Sequence, residues 1–439
     1  MFILQSLLAS LLAVILASSD YVQIQPKILY SGFSVDSYRQ GHSVAISNDG
    51  TTIAVSVPGF RTGDGFVYSW NEEQQVFYES GVLFGGGAVG VDIGVTDVTQ
   101  VGYVVAINGN GSTIFLSRTE DNSYVGATWV FVGSPATLWN QQGSKLVGSY
   151  SPKMPREGSC LASSLDGNTL VVGGWTDDYY YGGAWIFVRD AENNWSQQSP
   201  QLSIYREFLA FGTSCALSAN GDIAIISASS RDFTGTAVVF TRNSQGIWSL
   251  VEYIPNEDNL SLNQVSLSAD GKTALIGTVT DTNVTARVLE YNTLSNSWET
   301  TAQLQTNDSS RGPYSVALSS DGNTAVIGTP GLNDFTGAAW VFTRDATSGL
   351  WSQNAQVLTG NDASPTSYQG FSVSISGNGD TIVFGGPNDS GGVGATWVFR
   401  KATSAPTSSP HTAAPVTNSH HHRPKHSKKN HKRLAPTSS

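Results

Sequence analysis

Charge is what this chain has least of: only 13% of its 439 residues are Asp, Glu, Lys or Arg, which excludes a salt-bridge-laced helical protein or a polyelectrolyte. Cysteine is nearly absent too, with Cys160 and Cys215 alone, so a disulfide-dense miniature scaffold and a Cys-based metal module are excluded. His42 is the only histidine before the C-terminal tail, and no HExxH, CxxC or nucleophile elbow occurs, leaving little basis for metal-assisted or nucleophilic catalysis. Beyond Ser19 no apolar run could span a bilayer. Residues 1–19 are apolar with small residues at Ala17 and Ser19, and are expected to be a secretory signal, since the run is shorter than the roughly 20 residues of a membrane anchor.

What is abundant is glycine, 46 residues, together with 11 tryptophans and short runs of β-branched residues. Residues 311–358, RGPYSVALSSDGNTAVIGTPGLNDFTGAAWVFTRDATSGLWSQNAQVL, hold four such runs and describe one four-stranded antiparallel sheet. Copies recur along the chain. An Asn-Gly or Asp-Gly pair ending at Gly50, Gly111, Gly167, Gly221, Gly271, Gly322 and Gly379 separates the first two strands of each, at spacings of 50 to 61 residues. The pair predicts a two-residue hairpin, because both residue types tolerate positive φ. A third strand reads Gly-Ala-x-Trp-Val-Phe, as at residues 126–131, 337–342 and 394–399, and a fourth is marked by Trp139, Trp195, Trp248, Trp298 and Trp351.

The seventh copy lacks its fourth strand, and Tyr21 to Ile28 (YVQIQPKI) follows the pattern of Trp195 to Leu202 (WSQQSPQL). The expected fold is therefore all-β: a seven-bladed β-propeller of four-stranded antiparallel blades over residues 20–400, the last blade completed by the N-terminal strand. Residues 84–105, a long entry to the second blade, have room for an extra strand. Trp129, Trp185, Trp340 and Trp397 share one repeat position, which assigns them to packing between blades, and His42 also sits at a repeat position in an inner strand.

The repeat resembles the FG-GAP family, whose propellers include the head of integrin α chains. The matching marks are Phe211-Gly212 before a first strand, Gly328-Thr329-Pro330 and Gly385-Gly386-Pro387 after a second, and the Gly-Ala-x-Trp-Val-Phe strand. The resemblance implies a rigid extracellular scaffold for recognition or adhesion. Calcium-binding members carry a DxDxDG loop, whereas Ser47-Asn48-Asp49-Gly50 and Ser320-Asp321-Gly322 are too short and too poor in carboxylates for that cage, so calcium is not carried over. No cofactor is expected, and no metal site in the propeller.

Candidate sites follow from what varies between copies. The loop Trp175, Thr176, Asp177, Asp178, Tyr179, Tyr180, Tyr181, with Tyr205 and Arg206 of the adjoining link, places rings beside acids, a combination suited to a sugar or a protein hot spot. Asp64, Asp121, Asp177, Asp178, Asp232, Asp281, Asp334 and Asp389 fall on the same face; turn preference alone explains such a ring, against binding of a cation or a basic partner. Cys160 and Cys215 lie in the first strands of neighbouring copies and can form a disulfide, the alternative being two buried thiols. Asn110, Asn194, Asn259, Asn283, Asn307 and Asn388 head N-glycosylation sequons.

The tail 401–439 holds 7 of the 23 basic residues and none of the 34 acids, leaving the body 16 basic against 34 acidic side chains. A Ser/Thr/Pro-rich segment leading into a His/Lys/Arg-rich one is expected to be disordered. It suits tethering to an anionic polysaccharide or surface, with His420, His421 and His422 able to hold a transition metal, or it serves only to solubilise. The function these features favour is a secreted, monomeric recognition or adhesion module binding an extracellular protein or glycan through the loop face, without nucleic acid or membrane span. The alternatives are a propeller hydrolase using two carboxylates on extracellular glycans and a structural matrix or cell-wall component.

Overall fold

A computed structural model describes residues 21–29, 38–59, 64–86, 104–149, 154–204, 208–230, 235–255, 261–279, 284–306, 315–354 and 356–402. The signal segment, most of the long entry to blade 2, the tail with its three adjacent histidines, and Tyr205, Arg206, Asp232, Asp281, Asn259, Asn283 and Asn307 lie outside them. No helix among the described residues is long and apolar enough to cross a membrane.

Seven antiparallel sheets form the blades: residues 44–83, 105–141, 160–197, 215–255, 261–305, 316–353, and 372–401. Their first strands touch in cyclic order, the seventh against the first, which makes the molecule a seven-bladed propeller. Blade 7 takes its fourth strand from Tyr21–Gln23, paired antiparallel with Ala395–Lys401, so the N-terminus closes the ring. A short strand, Phe208–Leu209, adds a fifth member to blade 4.

The second strands of blades 1, 2, 3, 6 and 7 are buried along their whole length because each faces a neighbour on both sides. In Thr169–Gly174, Leu170 and Val172 pack with Phe115 and Val130 of blade 2, while Val171 packs with Ile226 and Val238 of blade 4. Period-2 alternation thus feeds two cores from one strand. Trp185 and Trp397 are fully buried between blades, and Trp129 and Trp340 nearly so. His42 packs its ring on Phe371 at 4.9 Å. Cys160 and Cys215 form a disulfide across the inner strands of blades 3 and 4, with Cα atoms 5.8 Å apart.

The Asn/Asp-Gly marks are turns, but not two-residue ones. Only the glycine has positive φ, and the Ser47 N–H bonds to the Thr52 carbonyl across a four-residue loop. The Ser47 side chain explains the difference: its Oγ accepts from the Thr52 N–H at 3.0 Å and fixes the wider loop. The same bond recurs in all seven blades, with Asn108 Oδ1 replacing the serine in blade 2. The residue after that Ser or Asn then links the blades. The N–H of Asn48 donates to Gly109 O, and the chain continues through Leu165, Ala219, Ala269, Ser320 and Gly377 back to Asn48, each bond 2.8–3.0 Å. Seven such links at a strand-like spacing give a ring of radius about 5.5 Å. It rims a cavity of about 150 Å³ with walls that include Ile46, Leu217 and Ile375. This end of the axis is consumed by scaffold.

Candidate recognition site

At the opposite end, the loops between second and third strands of blades 2, 3, 6 and 7 share one backbone. Three successive residues in each adopt positive φ: Asn122-Ser123-Tyr124, Asp178-Tyr179-Tyr180, Asn333-Asp334-Phe335 and Ser390-Gly391-Gly392. The result is a left-handed turn, closed in blade 3 by Gly182 N–H to Asp177 O at 2.9 Å. Nothing in the residue pattern announces it. Its role is docking: the carbonyls of Tyr180 and Tyr181 accept from the N–H groups of Ala210 and Phe211 at the entry of blade 4, and the other three turns hold Arg156-Glu157, Tyr368-Gln369 and Arg39-Gln40 in the same way. The approach is close enough that a Cβ on Gly182 would lie 2.1 Å from Phe211 O, which accounts for the glycine that opens the third-strand motif.

The residue before the turn explains three members of the acidic ring. Asp121, Asp177 and Asp389 are 0–2% exposed and bond to the fourth-strand side of their own blade. Lys145 Nζ donates to Asp121 Oδ2, Gln201 Nε2 to Asp177 Oδ2, and Lys27 Nζ to Asp389 Oδ2 at 2.7 Å. Blade 6 replaces the pair with Leu332 and Val357, both packed on one apolar cluster. Asp177 is thereby a latch of blade 3 rather than an exposed acid. Asp178 is half-buried and Asp334 exposed; the Asp64 side chain is outside the described set.

The rings predicted to cluster do so in part. Trp175 and Tyr180 meet at 5.8 Å between centroids, and Tyr179 and Tyr180 are 69% and 58% exposed. Tyr181 is half-buried where its carbonyl docks blade 4. On the blade 4 side, Phe208 stacks on Tyr253 at 5.5 Å. The cluster also grows toward blade 2, which the residue pattern did not reveal. The Arg156 guanidinium sits 4.9 Å over Tyr124 and 5.9 Å over Trp175, joining the loops of blades 2 and 3 through cation–π contacts. Met154 is exposed beside them, and its carbonyl accepts from Thr176 Oγ1 at 2.6 Å. The signal available was positional: Tyr124 matches Tyr180 in the repeat, and Arg156-Glu157-Gly158 matches Ala210-Phe211-Gly212.

Two carboxyls near this surface are perturbed. Burial raises Glu120 above the usual carboxylate range, partly offset by the positive charges of Arg118 and Arg156. Glu157 is 0% exposed, and burial pushes it up to about 8; the Gly148 N–H bond to Oε2 opposes the shift and the charge of Asp177 adds to it. Gln369 at the matching position of blade 7 accepts from the matching Gly360 N–H and also donates from Nε2 to Ser367 Oγ. Glu157 Oε1, by contrast, has no hydrogen-bond partner.

Among the described sequons, Asn110 and Asn194 are exposed, while Asn388 is half-buried and its Nδ2 donates to Thr366 O at 2.7 Å. At the turn end, the Asp49 carboxylate accepts from the Thr51 N–H and hydroxyl and from Ser47 Oγ, so it is engaged in holding the hairpin.

No family model matches the chain, and no curated protein does. Solved structures do. A 6-phosphogluconolactonase-like protein from Bacteroides uniformis shares 15% identity at a TM-score of 0.52, covering 73% of this chain and 85% of its own. The periplasmic gluconolactonase of Pseudomonas aeruginosa gives 15% and 0.50, covering 72% and 85%. A chain of the mitotic checkpoint complex gives 12% and 0.54, covering 88% and 94%. At such identities the likeness is one of fold: lactonase-type and other seven-bladed propellers share this architecture.

Proposed function

We propose that this chain is a secreted recognition module of FG-GAP type that binds an extracellular protein or glycan through the loop face at blades 2 and 3. The observation that carries the reading is the cluster of Trp175, Tyr180 and Tyr124 around Arg156, with Tyr179 exposed on the same loop, mounted on turns bonded to the neighbouring blade. Rigid rings with polar edges make large contact areas at low entropic cost. The disulfide and the exposed sequons at Asn110 and Asn194 support an oxidising, secretory route. The FG-GAP kinship draws on Phe211-Gly212, which here docks blade 4 onto blade 3. The basic tail supplies a second attachment, to an anionic polysaccharide or surface.

The test is an array of extracellular glycans and proteins probed with the intact chain and with Trp175→Ala/Tyr180→Ala. Binding lost in the variant, with an unchanged circular dichroism spectrum, supports recognition here. Equal binding by both removes the site, and turnover of a bound glycan replaces recognition with hydrolysis.

A further inference from the structure

The joint between blades 2 and 3 holds an ionisable group where its counterparts hold none. The second docked residue of the entry is Gln40 in blade 1, Phe211 in blade 4 and Gln369 in blade 7, but Glu157 in blade 3. Its backbone does what the others do: the Arg156 and Glu157 N–H groups donate to Tyr124 O at 3.0 Å and Val125 O at 2.9 Å. The approach is close, since a Cβ on Gly126 would lie 2.3 Å from Glu157 O. Its side chain is less well served. Oε2 accepts from the Gly148 N–H at 2.6 Å, as Gln369 Oε1 accepts from Gly360, but Oε1 has no hydrogen-bond partner. The Ser367 hydroxyl that completes the Gln369 amide is replaced at the matching position by Pro155.

The carboxyl is shut away from water, with Glu157 0% exposed. Nor does a cation compensate it. Lys145 pairs with Asp121, the charges of Arg118 and Arg156 act on Glu120, and among the described residues none forms an ion pair with Glu157. The charge that does bear on it is of its own sign: Asp177 is 2% exposed and accepts from the neutral Gln201 Nε2. A buried carboxylate with one oxygen unpaired and a like charge nearby is costly, whereas the neutral acid copies the glutamine of blade 7. Burial accordingly pushes Glu157 up to about 8. The ionised form is relieved where water can reach it, which requires the entry to leave the turn. Because Arg156 precedes Glu157 and its guanidinium lies over Tyr124 and Trp175, that movement also takes the ring cluster apart.

We infer that Glu157 is a proton-operated catch on the joint between blades 2 and 3, closed while the carboxyl is neutral and opening as it ionises, so that pH controls whether Arg156 stays on Tyr124 and Trp175. The opening is a property of the fold and holds whether or not this surface binds a ligand. Its test is hydrogen–deuterium exchange on the intact chain without ligand, each rate divided by the intrinsic rate of the same amide at that pH. Because one proton is released on opening, protection of the Arg156 and Glu157 amides should fall about ten-fold per pH unit from 4.5 to about 8 and then level off. It should also stay below that of the buried strand Thr169–Gly174 throughout, since the joint opens without unfolding the blade. Glu157→Gln should flatten the slope. Glu120→Gln, which removes the other raised carboxyl near Arg156, should leave it. Protection that does not change with pH, protection equal to that of Thr169–Gly174 at every pH, or a slope that survives Glu157→Gln each overturns the inference.

Discussion

In blade 7 the turn that docks onto the next blade runs Asp389-Ser390-Gly391-Gly392; in blade 3 the same backbone runs Asp177-Asp178-Tyr179-Tyr180. Both begin with a buried aspartate bonded to the fourth-strand side of the blade, and both bond to the next blade's entry through two carbonyls. Blade 7 fills the left-handed positions with residues that suit them, and blade 3 fills them with exposed rings. The difference separates what a blade needs in order to join the ring from what one blade adds to it. Entry positions follow the same division: Gln369 satisfies both ends of its amide, while Glu157 leaves one oxygen unpaired.

The comparison breaks most severely if blade 7 is denied its borrowed strand. Deleting Tyr21–Leu29 exposes the edge of Ala395–Lys401 and removes the Tyr21 ring from its apolar cluster. The expected outcome is loss of cooperative unfolding and aggregation, measured by calorimetry and size-exclusion chromatography. A monomer that still melts cooperatively would show that six and three-quarter blades suffice.

A smaller effect attends the latch. Asp389→Leu leaves the Lys27 ammonium, whose side chain is 14% exposed, without its carboxylate and should cost about 3–5 kcal/mol in a denaturant titration. Adding Lys27→Val reproduces the Leu332–Val357 pairing of blade 6 and should recover most of that loss. No recovery would mean that the polar pair does more than hold the turn.

The propeller, its blade count and the displaced closing strand were legible because strands announce themselves by alternation and turns by glycine. Lys27 fits this pattern in retrospect, since it aligns with Lys145 and Gln201. Left-handed turns were not legible: Asn122 and Asp178 suit that backbone, but the Ser-Tyr and Tyr-Tyr that follow them do not call for it, and inter-blade bonding holds it. The hairpin type was misjudged for a related reason, because a side-chain bond from Ser47 overrides the preference of the Asp-Gly pair. For the site, the blade 3 rings were visible as departures from the repeat, but Arg156 and Tyr124 were not, because they reach it only through the contact between two blades.

The entry position offers a comparison that pH can resolve. Glu157 has its folded pKa raised to about 8, above the ordinary carboxylate value it regains on unfolding. The unfolded chain therefore binds fewer protons between those two values, and stability falls as pH rises from roughly 4.5 to about 8, then levels off. Glu157→Gln, which copies Gln369, should abolish that slope and stabilise the protein at pH 8 by on the order of 1–3 kcal/mol, seen in melts across the pH range. An unchanged slope would place the titration elsewhere.

The smallest effect is the most direct test of the division between scaffold and function. It is the melting temperature of Tyr179→Gly, measured beside the intact chain without ligand. If the tyrosine is held against the preference of the turn, its removal relieves about 1 kcal/mol of backbone strain and raises the melting temperature by about 1–2 °C. A lower melting temperature would make Tyr179 a residue of the fold, and the account of blade 3 as the functional departure from blade 7 would fail.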